Sequence, residues 1–309
     1  MTFSLNRFLT TATLFFQLCT IGFAKIDVNK NDTISLIGSG MGSRMIHYGH
    51  FETEIFLRFP NHDLTIRNLC DEGNTPGFRP HPSREQEGQY AFPGAKELIH
   101  QSLQGSTKPK GHFPTPDQWL SDLKTDILLC FFGFNSSFDG PNHVDRFKNE
   151  LDAFLKHSKN TQYDSTNLRI ALISPTAVQA IENITNGRYQ NRNLKVYVDA
   201  MSKVAQSNNV MFIDAFTPSL DWYKEGKELS IDGALYNDDG YKKLGSFLAD
   251  SLFKIPTQNE KLRNKIHSAV MDKNFYWLND FKVPNGVHVY GRRYNPFGPQ
   301  NYPYEIEKT

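Results

Sequence analysis

The sequence predicts an α/β fold, a three-layer α/β/α sandwich around a central parallel sheet. Three observations predict it. Short apolar runs alternate with amphipathic stretches along most of the chain. One run, residues 127–132 (ILLCFF), is apolar at every position, as a strand buried on both faces should be. The first run, ISLI at 34–37, breaks into Gly38-Ser39-Gly40 and then an amphipathic stretch, the form of a strand delivering the chain to a helix.

The elements follow in order. Residues 34–37 form the first strand. Tyr48, Phe51, Ile55 and Phe59 then recur at helical spacing, and Pro60 stops that helix. Residues 64–69 and 126–132 are the second and third strands. Phe147, Leu151, Phe154 and Leu155 mark a helix, and residues 168–173 the fourth strand. Leu194, Val198, Met201 and Ala205 mark the next helix, and residues 210–213 the fifth strand. Tyr241, Leu244, Leu248 and Leu252 form the last helix of the set. In parallel sheets ligands bind at the carboxyl ends of strands. The loops after Ile37, Leu69, Phe132 and Ile213 are therefore where chemistry is expected.

Two regions break this rhythm. Residues 75–123 are rich in Pro, Gly and His; so long an irregular insertion predicts a lid or substrate wall. Residues 258–309 open with a helix near 262–278 and close rich in Tyr and Pro. They read as a C-terminal extension, packed on the main domain (25–257) or leading to another module.

Residues 1–24 are read as outside the fold. Arg7 precedes an apolar run, and Gly22 and Ala24 supply the small residues of a cleavage site, the pattern of a secretory signal peptide. The alternative is an uncleaved membrane anchor, but Thr10, Thr11, Thr13, Gln17 and Thr20 interrupt the run, which is short for a bilayer. A secreted or periplasmic protein is expected, with no membrane span after signal removal. Lys and Arg number 34 and Asp and Glu 33, so losing Arg7 leaves the two equal. No basic stripe is present, which argues against nucleic acid as a partner. Cys70 and Cys130 remain after the leader. They could pair in an exported protein, but two buried thiols are the preferred reading, since Cys130 lies within an apolar run. No Cys/His cluster has zinc-ligand spacing, and no metal or cofactor is implied.

Four short stretches line up with a family. They are the glycine turn after strand one, Gly73 after strand two, Gly133-Phe134-Asn135 after strand three, and Asp232 before the last helix. In this order they resemble the SGNH (GDSL-type) hydrolases over roughly residues 33–253, which implies a flavodoxin-like sheet. RNLCDEGNTPGFRPHPSR, FPTPDQWL, FFGFNSSFDGP and NGVHVYGRRYNPFGPQNYP are similar to a narrower variant. That variant opens large secreted planctomycete-type bacterial proteins, where it can precede haem-binding or dehydrogenase modules.

The resemblance implies roles. A serine after the first strand attacks an ester carbonyl, a histidine takes its proton, and an aspartate three residues earlier orients the ring. Backbone N–H groups and an asparagine bind the oxyanion. Asn135 matches the asparagine, Gly73 the glycine that offers its N–H, and Asp232 the triad acid. Each also has a plain reading as a turn residue. Two positions depart from the pattern: Gly40 stands where the nucleophile belongs, and Leu235 where the base belongs. Glycine has no side chain, and leucine has no nitrogen.

Candidate surrogates are Ser43, one helical turn beyond Gly40, and His112 or His81 in the insertion. Ser39 sits one residue early, and His143 reads as a cap or surface residue. His47 and His50, at i and i+3, could touch a metal but have no third ligand in the sequence. By family the expected reaction is hydrolysis of carboxylic or acetyl esters, on carbohydrate or another small ester. By residues the expectation is a degenerate member. It would bind a small ester, an acetylated carbohydrate or a carboxylate, or serve as an accessory module. The alternatives are an active esterase with relocated nucleophile and base, and a structural domain whose pocket its own Phe and Tyr side chains fill.

Overall fold

A computed structural model describes residues 25–81, 84, 87–104, 113–182 and 187–282. The leader, His112 and the Tyr/Pro-rich close of the chain lie outside these residues. The strands are β1 (Thr33–Gly38), β2 (Thr65–Asn68), β3 (Ile127–Phe131), β4 (Arg169–Ile173) and β5 (Met211–Ile213). They form one five-stranded sheet in the order β2-β1-β3-β4-β5, with every pairing parallel. The helices are α1 (Gly40–Arg44), α2 (His50–Arg58), α3 (Ala95–Leu98), α4 (Pro116–Asp122) and α5 (Val144–Thr161). They continue as α6 (Gly187–Ser207), α7 (Phe216–Lys224), α8 (Asp238–Leu252) and α9 (Arg263–Phe281).

The apolar run of β3 is explained by its two faces. Ile127, Leu129 and Phe131 pack with β1 residues Ile34 and Leu36 against Phe51 and Ile55 of α2 and Leu244 and Leu248 of α8. Leu128 and Cys130 point the other way, toward Leu120 of α4, Leu151 and Phe154 of α5, and Tyr197 and Met201 of α6. The three-layer sandwich is therefore present, with apolar side chains on both faces of the sheet.

The long insertion divides between two jobs. Ala91, Phe92, Ala95, Phe113 and Leu120 enter the second core, and α4 starts on a capping box made by Thr115 and Gln118 with Pro116 in its first turn. Other insertion residues line a cavity described below. The described part of the C-terminal extension is also built into the core. Trp277 and Phe281 of α9 are buried there, the Trp277 indole N–H donates to Asn68 O at 2.8 Å, and the Trp119 ring meets that of Trp277 edge-on at 5.6 Å. At the start of α9, Arg263 pairs with the buried Glu54 at 2.7 Å. Among the described residues, no helix is long and apolar enough to cross a membrane.

Gly38 ends β1 with φ +129°, and a Cβ placed there would lie 2.1 Å from Phe131 O. Only glycine lets the two strand ends approach so closely. Cys70 and Cys130 are free and buried, and they belong to the two opposite cores. Burial pushes both thiols above the ordinary range. We therefore expect Tm to be the same with and without reductant, and a thiol reagent to react only as the protein unfolds.

Candidate functional site

The sheet brings four loops to its carboxyl edge. After β1 the chain turns through Ser39 into α1 and sets Gly40 at the edge. The loop after β2 carries Asp71, Glu72 and Gly73. The loop after β3 carries Asn135, and the turn before α8 carries Asp232 and Leu235. Gly40, Gly73, Asn135, Asp232 and Leu235 line one cavity of about 170 Å3. Glu72, Phe134, Pro175 and Thr176 complete much of its wall. Pro175 and Thr176 follow β4, a loop that carries no chemical signal in the sequence and was not singled out there.

Each position has a definite geometry. A Cβ built on Gly40 would lie 3.3 Å from Leu235 Cδ2, with its next neighbour Glu72 Cγ at 4.0 Å. Positions 40 and 235 thus adjoin in the cavity wall. Ser39 is turned away and its hydroxyl donates to Phe131 O at 3.4 Å. The Asn135 side-chain NH₂ donates to Asn74 O at 3.2 Å; an amide carries two such hydrogens. Gly73 has φ +83°, and nothing lies within 4 Å of where its Cβ would be. Asp232 caps its own turn, its Oδ1 accepting the backbone N–H of Ala234 at 2.9 Å and of Leu235 at 2.6 Å.

Solved structures share this architecture. One is a protein named as a GDSL-like lipase from Parabacteroides merdae (TM-score 0.52, 14% identity, 74% of this chain and 99% of that one). Another is a catalytic mutant of Axe2, an acetylxylan esterase from Geobacillus stearothermophilus (TM-score 0.52, 12% identity, 76% of this chain and all of that one). A third is the acetyl xylan esterase AlAXEase (TM-score 0.50, 15% identity, 72% of this chain and all of that one). The fold is that of the SGNH/GDSL hydrolases. No family model and no curated protein matches the sequence. The catalytic mutants of Axe2 replace a histidine and a serine.

The surrogates are placed as follows. Ser43 is buried and lies behind Glu72, donating to Glu72 Oε1 at 3.1 Å and accepting from Lys282 Nζ at 2.9 Å. Lys282 also pairs with Asp71 at 2.8 Å and Glu72 at 3.1 Å. Burial alone would lower the Lys282 pKa, but Asp71 and Glu72 outweigh it and raise it. Burial likewise disfavours the Glu72 carboxylate, yet Asp71, the backbone amide and Lys282 hold it down at about 2. Lys282 is therefore a cation and no base for Ser43. His81 stacks on the Phe113 ring at 3.7 Å. His50 pairs with Asp238 at 2.7 Å and stacks on His267. His81, His47, His50 and His143 are absent from the wall of the Gly40 cavity. Among the described residues no cluster of three His, Cys, Asp or Glu side chains could hold a metal ion.

A neighbouring cavity of about 200 Å3 shares Gly73 and Asn135 with the first. Its wall holds a pair that sequence reasoning missed: His100 Nδ1 lies 2.6 Å from Ser102 Oγ. Read as sequence, His-Gln-Ser in the insertion looks like any cap, and His100 does cap the short 3-10 turn Gln101–Leu103, accepting Ser102 N–H at 3.2 Å. Among the described residues no carboxylate holds the other ring nitrogen. Glu150, in the same wall, is buried and takes the Gly77 N–H at 2.7 Å; burial raises its pKa.

Proposed function

We propose that this protein is an exported, degenerate member of the SGNH/GDSL fold that binds an acyl group without cleaving it. The observation that carries this reading is the pair Gly40 and Leu235, where a Cβ built on Gly40 would lie 3.3 Å from Leu235 Cδ2, beside the Gly73 and Asn135 donors. A pocket that keeps oxyanion donors and lacks attacking atom and base retains roughly 10³–10⁴-fold acceleration over water. That is far below what a working esterase needs.

The charges narrow the ligand. Glu72 and Asp232 both line the cavity, and Glu72 stays ionised at neutral pH. A carboxylate ligand would meet like charge, so the favoured ligand is a neutral acyl group, such as the acetyl of an acetylated carbohydrate. Service as an accessory module of a larger exported assembly follows from the same reading.

The test is incubation with an activated acetyl ester. No burst and no turnover above background is the expected result. An acetylated xylo-oligosaccharide, titrated by NMR, should bind to the wild type and bind at least tenfold more weakly to Asn135→Ala. A second reading has one observation in its favour. His100 and Ser102 are within hydrogen-bond reach, beside the same donors, as a relocated base and nucleophile would be. Turnover abolished by both Ser102→Ala and His100→Ala would establish it and displace the first.

A further inference from the structure

Beside the loop that carries Gly73 lies a much smaller space. Asn74, Arg79, His81, Arg84 and Phe281 are in its wall, and its volume is about 10 Å3, room for one small occupant. Arg79 and Arg84 are each only 4% exposed. A guanidinium stays charged, and burying a charge without a counter-charge is costly. Arg84 donates to two neutral carbonyls, Pro114 O at 2.8 Å and Arg79 O at 2.5 Å. Arg79 lies 5.7 and 5.0 Å from the Phe132 and Phe154 ring centroids, which attract a cation but accept no conventional hydrogen bond. Its Nε and Nη2 have no hydrogen-bond partner among the described residues. Asp71 shares the wall, but Lys282 holds it at 2.8 Å. The side-chain oxygen of Asn74 is a further buried orphan.

We propose that this space binds one monovalent inorganic anion of chloride size. The Arg79 guanidinium holds it, and the Asn74 amide, turned by half a rotation, offers it an N–H. The carboxylates that act on the two guanidiniums, Asp117 on Arg79 and Asp71 on Arg84, are already held by His157 and Lys282. A water molecule would satisfy the donors but bring no charge, whereas an anion satisfies them and adds one full counter-charge. The site reaches the acyl cavity through one residue, because the Asn74 carbonyl accepts the Asn135 side-chain N–H. An ion on Arg79 therefore fixes the loop that presents Gly73. The proposal rests on Arg79, Arg84 and Asn74 alone and stands whether or not an acyl group binds.

Thermal unfolding tests it, with chloride or bromide replacing gluconate at constant ionic strength. Halide should raise Tm by about 3–6 °C in a saturating curve. Arg79→Met should abolish the response. Asn74→Asp supplies a fixed negative charge; it should raise Tm in gluconate and abolish the halide response, and it carries the test if Arg79→Met does not fold. Bromide-soaked crystals should show an anomalous peak between Arg79 and Asn74. Equal Tm in all three salts overturns the proposal and leaves water as the occupant. A halide response that persists in both variants overturns it as well, as a general salt effect.

Discussion

The double variant Gly40→Ser with Leu235→His should hydrolyse an activated acetyl ester, at least 100-fold faster than either single variant. The serine has room. Gly40 is outside the positive-φ region, and its Cβ would touch only Leu235 Cδ2 at 3.3 Å and Glu72 Cγ at 4.0 Å. Serine and histidine there would replace one apolar contact with a hydrogen-bonded pair, next to the Asn135 and Gly73 donors. Each single variant should stay at background, because a hydroxyl without a base and a base without a hydroxyl are both inert. The gain is thus non-additive by construction. Rates should remain modest. Asp232 already spends its Oδ1 on two backbone N–H groups, and the ionised Glu72 opposes the developing oxyanion. A folded double variant with unchanged Tm and no burst would sink the assignment of these two positions.

The second large effect is acid sensitivity. Burial first, then Arg84 and Lys282, push the His81 pKa down to about 3 from an ordinary 6.5. The unfolded chain therefore takes up a proton near pH 6.5 that the folded protein refuses until near pH 3. Stability at His81 is intact above pH 6.5 and falls by up to roughly 1.4 kcal/mol per pH unit below it, levelling off near pH 3. The full span is of order 5 kcal/mol. His47 and His50 are shifted the same way, mainly by burial, so comparison with His81→Phe isolates the one residue. Urea midpoints at pH 7.5, 6.5, 5.5 and 4.5 should converge or cross as pH falls, the variant showing the flatter curve. Parallel curves would show that the His81 ring titrates freely in the fold.

Much of the sheet was legible because its signal is local. An apolar run such as that of β3 must be buried on both sides, and the structure trims it only at its ends, from 126–132 to Ile127–Phe131. The helical spacing of Phe147, Leu151, Phe154 and Leu155 was equally direct and yields α5. Other features were hidden because they depend on partners far away in the chain. In α9, Trp277 and Phe281 are buried while Phe275 is 60% exposed, so its periodicity gives little hint of a core helix. The bonds from Lys282 to Asp71 and Glu72 join residues over two hundred positions apart. Arg79 and Arg84 lie in the Pro-rich insertion and were not singled out in the sequence; no local rule predicts a buried guanidinium. The candidate site was legible only through the order of its small motifs. His100 and Ser102 carried no such order.

The three contacts of Lys282 have one more consequence. Its ammonium group grips the acidic pair that flanks Gly73, so the chain leaves α9 within one side chain's length of the cavity rim. A change of occupancy that shifts this loop would be passed through Lys282 to the end of α9, making this corner the natural place to attach a label that reports it.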